Sequence, residues 1–208
     1  EELESLSRIC LKYNVFVISD EIHGDFVWPG HVQTPYASLS EDAASHCMIC
    51  TAPSKTFNLA GLQTSNIFIP NPVMRRRFAS ALLDVGQENI NRMGLIACEA
   101  AYRDGAEWLE QLISYLHGNL ELLRDFTQTR MPEIKLIEPE GTYLAWLDCR
   151  SMNMSDDELE HFFSQKAHVW LDPGVHSGSF GSGFMRFNLG SPRSVIKEAL
   201  SRIGDAWD

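Results

Sequence analysis

Apolar residues at three-to-four spacing open the chain: Leu3, Leu6, Cys10 and Tyr13 in EELESLSRICLKYN predict an amphipathic helix already under way at residue 1. Asn14 breaks the pattern. VFVIS (15–19) is then a continuous β-rich apolar run, the signature of a strand covered on both faces, and it ends at Asp20. After a loop bearing Pro and Gly up to Pro35, CMICT (47–51) and TSNIFI (64–69) predict two more short strands. Helix, strand, loop, strand is the order of an α/β unit.

From Pro72 the period changes. Helices are predicted over 72–85, 91–103 and 107–130, the last with Trp108, Leu109, Leu112, Leu116, Leu120 and Leu123 as its apolar stripe. Beyond Pro132 come IKLIE and TYLAWLD as strands and a helix opened by Ser155 with Glu158 three residues on. A glycine-rich loop, the strand FMRFNL and a last helix started by Ser191-Pro192 complete the order. The pattern divides the chain into 1–115, an α/β unit, and 116–208, a small α+β domain. No internal repeat or low-complexity segment is visible. The helix under way at residue 1 and the missing initiator Met suggest a start inside a fold.

Charge narrows the partners. Seventeen basic against twenty-eight acidic residues give a formal charge of -11, which repels nucleic-acid backbones. Arg75, Arg76 and Arg77 form the nearest basic run and read as a solvated helix face. No apolar stretch is long enough for a membrane-spanning helix, and the first thirty residues lack the order of a signal peptide. Five scattered cysteines fit a reducing compartment better than a disulfide framework, so a cytoplasmic location is expected. Cys47 and Cys50 form a C-x-x-C. They fall on a strand, where residues three apart face opposite ways, and no second pair completes a metal shell, so no metal site is expected.

Two residues at strand ends carry candidate chemistry, because ligands of open α/β sheets bind beyond the carboxyl ends of the strands. Asp20 lies at one such end and Ser54-Lys55 just past the next. If the strands are parallel, Asp20 and Lys55 meet at one edge. Singly, Asp20 reads as a loop cap and Lys55 as a solvated surface amine. Together, a carboxylate and an amine facing one pocket suit pyridoxal phosphate (PLP): the amine forms a Schiff base with the cofactor aldehyde, and the carboxylate keeps the pyridine nitrogen protonated.

SDEIHGDFVW, APSKTFNLAGLQTSN, EGTYLAWLDCR and PGVHSGSFGSGFMRFNLGSPRSVIKEAL resemble, in this order and over essentially the whole chain, the class I/II aminotransferase superfamily of PLP-dependent fold type I enzymes. The likeness is strongest to its MalY/PatB branch of cystathionine β-lyase-like C-S lyases. It implies the C-terminal part of the PLP-binding large domain followed by the small C-terminal domain, with the upstream half of the large domain missing. Asp20 matches the aspartate at the pyridine nitrogen and Lys55 the Schiff-base lysine. Arg186 matches the arginine that forks the substrate α-carboxylate, a charge-assisted pairing of about 1.5–3 kcal/mol; its plain alternative on the sequence alone is a structural ion pair. His23 occupies a position near the cofactor 3-hydroxyl where many relatives have tyrosine; its plain alternative is a satisfied polar histidine.

The chain also departs from the pattern. Where many aminotransferases place a phosphate-binding hydroxyl, three residues before the lysine, it has Ala52; Thr51 and Ser54 are the nearby hydroxyls, and Ser54 is preferred. Eight residues after the lysine stands Gln63 rather than a phosphate-binding arginine, which agrees with the C-S lyase branch. GSFGSG (178–183) is not a dinucleotide fingerprint, since it precedes a strand; Gly174 and Gly181 are read as turn residues, and Tyr143 and Trp146 as core packing. The resemblance thus implies a C-S β-lyase acting on cystathionine- or cysteine-S-conjugate-like amino acids, homodimeric at full length. The alternatives are an aminotransferase and, from another class, a truncated non-catalytic domain with a dimerisation or binding role.

Overall fold

The computed structural model describes residues 1–87 and 89–208, which form two compact units, Glu1–Glu110 and Gln111–Asp208. In the first, α1 (Glu2–Lys12) leads into β1 (Val17–Asp20); α2 (Glu41–Ser45), β2 (Cys47–Thr51), α3 (Pro53–Thr56) and β3 (Asn66–Phe68) follow. The sheet order is β1-β2-β3. β1 and β2 are parallel with Asp20 opposite Cys50, and β3 returns antiparallel with Asn66 opposite Thr51. Beneath it Tyr36, Ala43, Cys47 and Ile49 form a small core. α4 (Pro72–Asp84) and α5 (Arg92–Asp104) are both opened by asparagines, Asn71 and Asn91, whose side chains accept from the first backbone N–H groups.

Two apolar faces of this unit are left open. α1 forms as expected, but it buries Ser7, while Leu3, Leu6, Ile9 and Tyr13 are exposed. Ile18 is 66% exposed, so β1 is not covered on both faces as its apolar run predicts. Periodicity identifies the element and its apolar face; it does not say what covers that face within this unit. The basic run lies on α4 as a solvated face, with Arg75 Nη1 donating to the carbonyl of Ile69 at 2.7 Å.

α6 (Ala106–Thr129) runs from the first unit into the second, where it buries Leu116, Leu120, Leu123 and Phe126. Trp108, at the head of the expected stripe, is instead 47% exposed. The second unit continues with β4 (Lys135–Ile137), β5 (Leu144–Asp148), α7 (Asp156–His161), β6 (Asp172–Pro173), β7 (Phe184–Asn188) and α8 (Arg193–Trp207). Its antiparallel sheet has the order β4-β5-β7-β6. Period-two alternation sends Ala145, Leu147, Met185 and Phe187 into the core and leaves Trp146, Phe184 and Arg186 on the more open face. Trp146 is therefore not core packing; its ring stacks on Phe184 at 5.6 Å.

Ser155 and Glu158 form the expected capping box on α7. α8 begins one residue later than Ser191-Pro192 predicts: Pro192 is extended at the N-cap, and the Arg193 N–H donates to Tyr115 Oη at 2.6 Å. Gly174 and Gly181 lie in short 3-10 turns, as expected, but neither has a positive φ. A methyl on either would strike the other's backbone, so they permit two chain segments to touch; the positive φ angles belong to Gly178 and Gly183.

Candidate active site

The first cluster is built at the carboxyl edge of the β1-β2 pair. Because these strands are parallel, Asp20 at the end of β1 and Lys55 just past β2 stand on the same edge of the sheet. The Glu21 N–H donates to the Cys50 carbonyl at 2.8 Å, carrying the pairing one step beyond Asp20. Asp20 is exposed and its Oδ1 accepts from the Ile22 N–H at 3.2 Å, a local turn that leads the chain away from the strand. His23 follows half-buried, its carbonyl accepting from the Phe26 N–H at 3.0 Å.

The lysine turn has a clear local cause. Ala52 precedes a proline and is extended, as steric conflict with the proline ring requires, and Pro53 then opens α3 at its first helical position. This places Ser54 half-buried and Lys55 exposed in a single helical turn. The two following residues fasten the turn. Thr56 is fully buried and its Oγ1 donates to Asp25 Oδ2 at 2.7 Å. Phe57 packs edge-on against Tyr102 at 5.4 Å and tilted against Trp108 at 5.8 Å, and Gly105 leaves room for its ring. Lys55 thus projects from a backbone clamped immediately after it.

Thr51 lies close enough to Tyr102 to lower its phenol pKa slightly. Burial, then Asp25 and Cys98, push the Tyr102 phenol up to about 12, against that lowering effect. Tyr102 is therefore a neutral hydrogen-bonding group at neutral pH. A cavity of about 550 Å³ adjoins it, lined by Glu21, Asp25, Thr51, Ala52, Asn66 and Tyr102. Asp25, Thr56 and Tyr102 escaped the sequence reading; Asp25 and Thr56 lie within the motifs that carry Asp20 and Lys55.

Arg186 belongs to the second unit. It lies on β7 opposite Trp146 of β5 and Asp172 of β6. Asp172 Oδ2 accepts from Arg186 Nε at 3.1 Å and from Nη2 at 2.5 Å. Tyr143 lies within electrostatic reach of Arg186; burial raises its phenol pKa and the arginine opposes the rise. Both ends of β7 are pinned. Asp156 accepts from the Gly183 N–H at 2.7 Å and from Ser182 Oγ at 2.8 Å, and the Arg150 guanidinium lies 4.9 Å from the Phe184 ring centre. At the far end the fully buried Asn119 donates to the carbonyls of Leu189 and Ser191 and accepts from Arg193 Nε.

All five cysteines are free thiols, and among the described residues no cluster of His, Cys, Asp or Glu is arranged to hold a metal ion. No helix among them is long and apolar enough to cross a membrane.

The fold is that of part of a fold type I PLP-dependent transferase. Cystalysin from Treponema denticola, solved with PLP, superposes with a TM-score of 0.95 at 39% identity, over 99% of this chain and 52% of that one. The chain belongs to the aminotransferase class I and II family, whose model matches residues 1–203. Cystathionine β-lyase PatB of Bacillus subtilis is 42% identical over 98% of this chain and 52% of its own length. Protein MalY of Escherichia coli is 34% identical over 99% of this chain and 52% of its own. The chain spans about half the length of the curated relatives it matches.

Proposed function

We propose that the full-length protein carrying this chain is a PLP-dependent C-S β-lyase that releases a thiol, pyruvate and ammonia from a cystathionine- or cysteine-S-conjugate-like amino acid. The observation that carries the reading is the placement of Asp20 and Lys55 at one carboxyl edge of two parallel strands. The donor set fits PLP: an amine for its aldehyde, a carboxylate for its pyridine nitrogen, and hydroxyls near the lysine for its phosphate. Bound PLP supplies an electron sink for the charge left at the substrate α-carbon.

The residues of this chain then divide the work. Asp20 would keep a proton on the ring nitrogen, and His23 would be the polar group for the 3-hydroxyl. Ser54 is the preferred phosphate hydroxyl, with Thr51 the other hydroxyl nearby. Lys55 would hold the cofactor through its amine and would take the substrate α-proton as general base. Arg186 forks the α-carboxylate. Residues 1–115 form the C-terminal part of the cofactor domain and 116–208 the small domain. The relatives named lyases, together with Gln63 in place of a phosphate-binding arginine, support the lyase reading.

The family model itself favours a second reading, amino-group transfer by the same Lys55 and Asp20. The two separate on one assay. Incubated with L-cystathionine and no keto acid, the full-length protein is expected to form pyruvate continuously; amino transfer that needs a keto-acid acceptor contradicts the lyase reading. We further propose a cytoplasmic location, in keeping with its free thiols, and a homodimer, which the resemblance to this superfamily implies; sedimentation of only monomers at full length contradicts the dimer.

A further inference from the structure

Arg186 is already in contact with a carboxylate of its own chain. Asp172 and Arg186 are directly opposed in the antiparallel β6-β7 register, which brings their side chains together on one face of the sheet. β6 is only Asp172–Pro173 and sits at the sheet edge, so a residue of this edge strand is set against the central arginine.

The chemistry of the contact is selective. A guanidinium offers two donor edges suited to an oxyanion: a side edge of Nε and Nη2, and an end edge of Nη1 and Nη2. Asp172 uses the side edge, through one oxygen, at 3.1 Å and 2.5 Å. The end edge keeps its donors. Trp146, opposed to Arg186 from β5, bounds the arginine on the other side and is itself held by stacking on Phe184.

Resting on the assignment of Arg186 above, we propose that Asp172 is a positioning residue: it fixes the guanidinium by its side edge and thereby presents the end edge to the α-carboxylate of the amino-acid substrate. An arginine side chain loses considerable rotamer freedom on binding, and a partner that orders it beforehand lowers that cost. Asp172 also leaves the pair neutral overall. Recognition of the carboxylate therefore depends on the geometry of the fork more than on net positive charge.

The test uses the full-length, PLP-loaded protein with L-cystathionine. Asp172→Ala is expected to raise KM about tenfold, the scale of a lost charge-assisted hydrogen bond, with most of the loss on KM rather than kcat. Asp172→Asn keeps an acceptor of the same length and is expected to fall between the parent and the alanine variant. Competitive binding of a simple amine lacking a carboxylate should be unchanged in all three proteins. An unchanged or lower KM in Asp172→Ala overturns the proposal, the lower value meaning that Asp172 competes with substrate. A change in amine binding equal to the KM change overturns it too, since that marks a general structural role. Arg186→Lys separates this inference from its basis. If that variant raises KM while Asp172→Ala does not, only the role of Asp172 fails; if Arg186→Lys leaves KM unchanged, the assignment of Arg186 fails and this proposal with it.

Discussion

Thr56 Oγ1 donates to Asp25 Oδ2 at 2.7 Å, joining the residue next to Lys55 to the loop that follows Asp20. Thr56 is fully buried and Asp25 is exposed, so the two ends of the bond are not equivalent. Removing the carboxylate strands a buried hydroxyl, whereas removing the hydroxyl leaves a carboxylate that water can solvate. Asp25→Ala is accordingly expected to cost about 1–3 kcal/mol and Thr56→Val less, about 1 kcal/mol. Denaturant titration of the full-length protein reads both; a larger loss for Thr56→Val contradicts the account.

Asp148 supplies a pH dependence. Its carboxylate accepts from Arg150 Nε at 2.8 Å, Nη2 at 2.7 Å and the Arg150 N–H at 3.1 Å. The arginine side-chain hydrogen bonds, opposed by burial, hold its pKa below the usual carboxylate range. A pKa depressed by folding contributes stability that is present above the unfolded value of about 4 and is lost as pH falls through the lower folded value. Asp148→Asn should therefore be less stable than the parent at pH 7, with the difference shrinking below about pH 4. Melting temperatures across pH 2–7, with ~1-unit steps, would show it; a difference that grows on acidification contradicts the sign.

The glycine pair gives a steric prediction. A methyl at Gly181 meets backbone atoms of Gly174, which cannot move aside as a flexible side chain would. Gly181→Ala is expected to lose about 1–3 kcal/mol and to disturb the segment leading into Arg186. Gly61 is the control: a methyl there meets nothing within 4 Å and its φ is not positive, so Gly61→Ala should be neutral or slightly stabilising. Equal effects at the two positions contradict the close-approach explanation.

How much of this was legible beforehand depends on how local each feature is. The turn carrying Lys55 follows from Ala-Pro-Ser-Lys itself, and the capping box from Ser155 and Glu158, because those interactions span a few residues. The shared edge of Asp20 and Lys55 needed one further fact, that β1 and β2 are parallel. The Thr56-Asp25 bond and the Arg186-Asp172 pair join residues 31 and 14 apart, and strand register with loop path sets them rather than any local pattern. α1 shows the other limit: its apolar stripe was legible, but this unit buries Ser7 and leaves Leu6 and Ile9 exposed. Gly174 and Gly181 do lie in short 3-10 turns as expected, but the contact between them was not legible, because glycine serves close approach as readily as positive φ.

The Schiff-base role of Lys55 is the central claim, and reduction tests it most directly. The full-length protein is incubated with PLP, treated with borohydride, and digested for peptide mass spectrometry. The account predicts a single pyridoxyl adduct on Lys55, absent from Lys55→Ala. An adduct on another lysine, or labelling of the variant equal to that of the parent, contradicts it.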